Sequence, residues 1–185
     1  MPAMLRSHTL EIEVAGLPGW SWRPLGRGDL ALAWPLASLT GAAPDLPAWL
    51  ELAGAWLAAA ARENGGLGAL ASPGGVLVGL ARYRVQGRDG GRLLRVPWLR
   101  TLEVTATPRN LEALVQILVQ LARRAGCAVL ELVADEASGD GLAMLADRIG
   151  LARHGDRWQR ELGPGGEILA LPRRCVARAG STLGG

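Results

Sequence analysis

Apolar residues recur at helical spacing in several stretches of this chain, separated by short extended runs and glycine-rich breaks. The clearest stripe is Leu111, Leu114, Val115, Leu118, Leu121, Ala122 and Ala125; Arg123 and Arg124 near its end and Gly126 after it mark a helix C-terminus. A second stripe places Trp49, Leu52, Ala53 and Trp56 on one face. Asp45 and Pro47 open it, and Asn64-Gly65-Gly66 close it. Leu142, Leu145, Ala146 and Ile149 predict a third helix ended by Gly150, and a shorter one starts at Leu30 behind Asp29, kinked or shortened by Pro35.

Between the helices the period changes. Residues 20–25 read as a short strand, and runs at 67–71, 76–85 and 93–104 are separated by Pro73-Gly74-Gly75 and Arg88-Asp89-Gly90-Gly91. Turns of that composition imply an antiparallel meander. The apolar run 128–133 follows the strongest helix, which makes a β-α-β crossover with strand 93–104 and hence a parallel pair. Two short strands flank His154-Gly155-Asp156, and residues 168–171 offer one more edge strand. The expected fold is α/β in the mixed sense: a mostly antiparallel sheet, a central β-α-β crossover, and helices on both faces. One domain over residues 20–162 is expected, with an N-terminal extension at 1–19 and a tail at 163–185.

Composition narrows the function classes. All 20 basic side chains are Arg, and the net charge of +3 is spread along the chain, too mild and too dispersed for a nucleic-acid interface. Arg forks do suit small anions. Cys127 and Cys175 are too few and too far apart for a disulfide framework or a metal site, so no metal is expected. The longest apolar stretch, 46–61, is interrupted by Glu51 and falls short of the roughly 20 residues that span a bilayer. The N-terminal residues lack the apolar segment of a signal peptide, and the expectation is a cytoplasmic protein without a membrane partner.

Four local patterns, taken in order, resemble the Gcn5-related N-acetyltransferase (GNAT) superfamily over about residues 22–162. They are Arg23-Pro24-Leu25 with Asp29, then the Gly74-Gly75-Val76-Leu77-Val78-Gly79 run. Leu102-Glu103-Val104 with the long helix to Gly126 follows, and last the segment from Gly139 to Leu151 with Arg157-Trp158. The resemblance implies direct transfer of an acyl group from acetyl-CoA or another acyl-CoA to an amine. It also implies a donor lying in a wedge between two splayed strands, its pyrophosphate on the backbone N–H groups that open the central helix.

On that resemblance the donor would touch Leu102 and Val104 on the strand and Arg109, Asn110, Leu111 and Glu112 at the helix start. The family's loop pattern, Arg or Gln, then Gly, then Gly or Ala, falls on Ala106, Arg109 and Leu111, and all three depart from it. Two readings follow: Arg109 and the amides of residues 110–112 hold an anion in a remodelled loop, or Leu111 covers a dry helix end with Asn110 as N-cap. The family's acid Tyr falls on Ala146, and the only Tyr, Tyr83, lies on another strand; Ser138 is an alternative proton donor.

For a general base the sequence offers Glu103, which as a partly buried carboxylate beside the acyl group would take a proton from the amine. The competing reading puts Glu103 on a solvent face, with Asp135 and Glu136 as alternatives. His154 reads as a hairpin residue and His8 as part of the extension. Among the seven Trp, Trp34 beside Pro35 is the candidate acceptor contact together with Glu103, while Trp49 and Trp56 read as core. Two functions follow: an N-acyltransferase acting on a small amine or peptide, or a catalytically inactive domain of the same fold that binds a protein partner or a second copy of itself.

Overall fold

The computed structural model describes residues 12–13, 17–88 and 91–163. Strands β1 (Ile12–Glu13) and β2 (Ser21–Pro24) lead through a 3-10 turn (Arg27–Asp29) into helices α1 (Leu30–Leu39) and α2 (Leu46–Glu63). Next come strands β3 (Gly65–Ala71), β4 (Leu77–Arg88) and β5 (Gly91–Thr101), helix α3 (Arg109–Arg124), strand β6 (Cys127–Val133), helix α4 (Glu136–Ile149), and strands β7 (Ala152–His154) and β8 (Arg157–Glu161). β1 lies in the stretch read as an N-terminal extension, and residues 168–171 and Cys175 fall outside the described residues.

Local chemistry explains most boundaries. Asp45 accepts from the Ala48 N–H at 2.8 Å and caps α2, and Asn64 ends it in a left-handed conformation at φ 52°. Asp29 acts one turn earlier than a cap of α1: its carboxylate accepts from the Gly26 N–H at 2.7 Å and closes the 3-10 turn. α1 runs through Pro35 without ending there.

The eight strands form one sheet in the order β1-β2-β3-β4-β5-β6-β8-β7, antiparallel except for the β5–β6 pair that α3 connects. Two hydrophobic cores cover its faces. Leu114, Leu118, Leu142 and Leu145 of α3 and α4 pack on Leu70, Tyr83, Leu94 and Trp158. On the other face Leu30, Ala33, Trp49 and Ala53 of α1 and α2 pack on Leu25, Leu67 and Leu80. This is the expected mixed sheet, mostly antiparallel around a β-α-β crossover, with helices on both faces as the resemblance implies.

One irregularity in the sheet positions the site. Arg82 pairs with Trp98 and Arg84 with Arg95, so Val96 and Pro97 together face Tyr83 in a β-bulge on β5. The ladder from β5 to β6 ends at the same point, at Val96 opposite Leu132. Pro97 has no N–H to continue it. From there β5 follows β4 alone to Thr101, and a gap opens towards β6.

Candidate functional site

Beyond that point, along the free end of β5, lies a cleft of about 450 Å³. Its walls come from the end of α1 (Leu39, Thr40), the end of β5 (Leu99 to Thr101), the loop that follows (Leu102, Glu103, Thr105, Ala106, Pro108), Leu111 of α3, and Ser138, Gly141 and Met144 of α4. Leu39 and Met144 are exposed apolar side chains on this cleft.

The N-terminus of α3 enters the cleft with its backbone donors already used. The Glu103 carboxylate accepts from the Leu111 N–H at 2.7 Å through Oε1 and from the Asn110 N–H at 3.2 Å through Oε2. The Arg109 N–H donates to the Thr107 carbonyl at 2.8 Å and the Glu112 N–H to the Pro108 carbonyl at 3.0 Å. A carboxylate on the first turn of a helix meets both the unpaired N–H groups and the positive end of the helix dipole. Glu103 therefore caps α3 from seven and eight positions upstream. Asn110 does not cap: it is the second residue of the helix, and its amide side chain donates to the Leu102 carbonyl, which pins the loop to the helix.

A second internal contact crosses the gap itself. The Arg100 guanidinium on β5 pairs with the Asp135 carboxylate, the N-cap of α4 beyond β6. Asp135 also accepts from the Ser138 N–H at 3.1 Å and the Ser138 hydroxyl at 2.9 Å. Burial raises the Asp135 pKa, but the hydrogen bonds from Arg100 and Ser138 and the Arg100 charge outweigh it, so the carboxyl titrates below its ordinary range. Arg100 further donates to the Leu99 carbonyl at 2.9 Å and lies 5.4 Å from the Trp98 ring centroid, in cation–π range.

The residues singled out from sequence are distributed as follows. Glu103, Leu102 and Leu111 line the cleft, and so do Ala106 and Ser138. Val104 is 87% exposed and Arg109 is exposed, both outside the lining. Glu112 pairs with Arg148 of α4 at 2.8 Å and ties the two helices together. Trp34 is half-buried against the second core and does not reach the cleft. Trp49 is fully buried, its indole N–H donating to the Leu30 carbonyl at 2.8 Å, and the Trp56 ring lies tilted at 51° to that of Trp98, centroids 4.9 Å apart. Tyr83 is buried beside Trp22 in the first core, and Ala146 packs against that core too. His154 ends β7 as an exposed residue. Sequence reasoning passed over Arg100 and Thr40. A charged residue inside the apolar run 93–104 was the available signal for Arg100.

No protein-family model matches the chain, and no curated protein does. Solved structures are similar in fold. The aminoglycoside-bound AAC(6')-Ib, in complex with paromomycin and acetyl-CoA, superposes with a TM-score of 0.59 at 15% identity, covering 77% of this chain and 93% of the other. A GNAT-family protein from Desulfovibrio desulfuricans gives 0.57 at 17% identity, over 78% and 99%. The spermidine/spermine N-acetyltransferase SpeG from Vibrio cholerae, in mutant forms, gives 0.56 at 12%, over 77% and 95%. By these matches the chain carries the Gcn5-related N-acetyltransferase fold.

Proposed function

We propose that this chain is an N-acyltransferase that takes the acyl group from an acyl-CoA or a related pantetheine thioester lying between β5 and β6 and passes it to an amine. The observation that carries the reading is the cleft along residues 99–101 of β5, past the end of its pairing with β6. An extended donor arm fits there against the strand edge that β6 no longer covers, with Leu102 and Leu111 as apolar contacts. In the transfer the amine nitrogen attacks the thioester carbonyl, the C–N bond forms, the C–S bond breaks, the amine gives up a proton and the thiolate takes one. Holding both reactants in line supplies much of the acceleration in such a direct transfer.

Protein groups at the reacting centre are few. The Ser138 hydroxyl lines the cleft and donates its proton to Asp135, so it serves the thiolate as a donor once that bond is exchanged. Glu103 lines the same cleft as the candidate base, its carboxylate accepting from two α3 amides. The similar structures that contain paromomycin or are named for spermidine support an amine acceptor, either a small molecule or a peptide.

The test incubates the protein with acetyl-CoA, and separately with acetyl-pantetheine, over a panel of amines and peptides. Released thiol is followed by a colorimetric reagent and acetylated product by mass spectrometry. Thiol release above the buffer rate with a mass gain on one acceptor is expected. No release, together with no rise in melting temperature with either donor, overturns the reading, because a ligand bound only by the native state must stabilise it.

Glu103 on the α3 amides and Ala146 at the acid position favour a second reading: an inactive domain of this fold that works by contact with a protein partner or a second copy. It predicts no binding of either donor.

A further inference from the structure

The contact between Glu103 and α3 bears on which donors the cleft accepts. Two features of the contact matter. It consumes the two helix donors that point out of the first turn, and it places a full negative charge where a second anion would have to sit. The neighbouring donors give no alternative seat, since the N–H groups of Arg109 and Glu112 are held by the Thr107 and Pro108 carbonyls. Among the described residues the cleft lining holds one cation, Arg100, and Asp135 pairs with it. Arg109, the residue at the helix start with a charge to offer, is exposed and lies outside the lining.

Leu111 adds a steric element. A Cβ built on Gly141 would lie 2.7 Å from Leu111 Cδ2, so the Leu111 side chain packs tightly on α4 at this end of the cleft. The part of the cleft next to β5 is unlike this end: Leu99, Thr101 and Leu102 present apolar groups, hydroxyl and backbone to an uncharged arm.

We infer that Glu103 is a specificity-determining residue, an internal anion that competes with the diphosphate of CoA for the start of α3, so that the cleft favours acyl donors presenting an uncharged pantetheine arm without a diphosphate. The inference rests on the acyltransferase reading and deepens it. A CoA thioester must displace Glu103 before its diphosphate meets the helix. An acyl-pantetheine need not, because it brings no charge to that end.

The experiment measures dissociation constants by titration calorimetry for acetyl-CoA and acetyl-pantetheine on the full chain and on Glu103→Gln and Glu103→Ala. Acetyl-CoA is expected to bind Glu103→Ala about ten- to hundredfold more tightly than the unaltered chain, the span of a charge-assisted hydrogen bond given back. Glu103→Gln falls between, since its carboxamide keeps one acceptor without the charge. Acetyl-pantetheine is expected to bind all three within about twofold, which also reports that each variant is folded. Where Glu103→Ala does not fold, the comparison is made on Glu103→Gln. Equal acetyl-CoA affinity in the unaltered chain and the variants, with both donors binding, overturns the role of Glu103 and leaves the acyltransferase reading standing. Failure of both donors to bind any of the proteins overturns both.

Discussion

Arg100 and Asp135 face each other across the gap between β5 and β6 and form an ion pair where neither strand has a backbone partner to offer the other. The pair replaces part of the missing ladder. Asp135 serves two elements at once, as the counter-ion of Arg100 and as the N-cap of α4 through the Ser138 N–H.

These two roles separate by substitution. Asn caps a helix about as well as Asp, so Asp135→Asn keeps the cap and loses the charge, whereas Asp135→Ala loses both. Asp135→Ala is expected to be less stable than Asp135→Asn by about 1 kcal/mol in urea unfolding at neutral pH. The sign of the pH effect follows from the lowered pKa. A carboxyl with a folded pKa below its unfolded value contributes stability that is complete above the unfolded value, near pH 4, and is lost as pH falls through the folded one. Melting temperatures from pH 6 to pH 2 should therefore fall less steeply in Asp135→Asn than in the unaltered chain.

How far this architecture is legible in the sequence depends on the range of the interactions that set each boundary. α2 was readable at both ends because its signals are local, Asp45 three residues from the N–H it caps and Asn64 at the last turn. α3 was readable along its stripe and at Gly126, but not at its start. Its cap, Glu103, reaches across a loop from seven and eight residues away, while the adjacent Asn110 has the residue type of an N-cap and is spent on the Leu102 carbonyl. Strand β5 stops at Thr101, short of the apolar run to residue 104, because Leu102 and Glu103 turn towards α3. The gap beside β5 arises from a bulge and Pro97, and the bulge is visible only once the partner strand is known.

The Trp22 indole packs directly against the backbone of Gly68. A Cβ on Gly68 would overlap the Trp22 indole, which is fully buried. Overpacking of this kind forces side chains off their rotamers or shifts backbone. Gly68→Ala is expected to lose about 1–3 kcal/mol in denaturant unfolding, where an exposed β-strand Gly→Ala change gives little or a gain. Gly54, on α2, has open space at its Cβ and serves as the control; Gly54→Ala should raise stability by up to about 1 kcal/mol.

Trp49 ties α2 to the start of α1. Its indole N–H donates to the Leu30 carbonyl at 2.8 Å inside the second core. Trp49→Phe keeps most of the apolar surface and removes the donor. The expected loss is about 1–3 kcal/mol, the range for a buried hydrogen bond left half made, read from the urea midpoint at unchanged slope. A change in slope instead of midpoint would show that the substitution alters the compactness of a state rather than this bond.

Cys127 opens β6 with no exposed surface, and burial raises its thiol pKa while the nearby Arg92 charge lowers it by less. The reactive form of a thiol is the thiolate, which this site disfavours both by desolvation and by access. In a Cys175→Ser background, where Cys127 is the one remaining thiol, the folded protein at pH 8 should react with a disulfide reagent only at the rate at which the strand opens, and the urea-unfolded protein at the rate of a free cysteine. Cys127 pairs with Arg92 of β5, and the ladder to β8 begins two residues on at Val129; with the thiol buried in the first core, the native rate should track global stability. Adding Gly68→Ala, which weakens the same core from β3, should therefore accelerate Cys127 modification by the factor that its loss of stability predicts. Rapid modification in the native state, unaffected by Gly68→Ala, would instead mean that β6 frays locally and that the parallel pair beside the cleft is held more loosely than its burial implies.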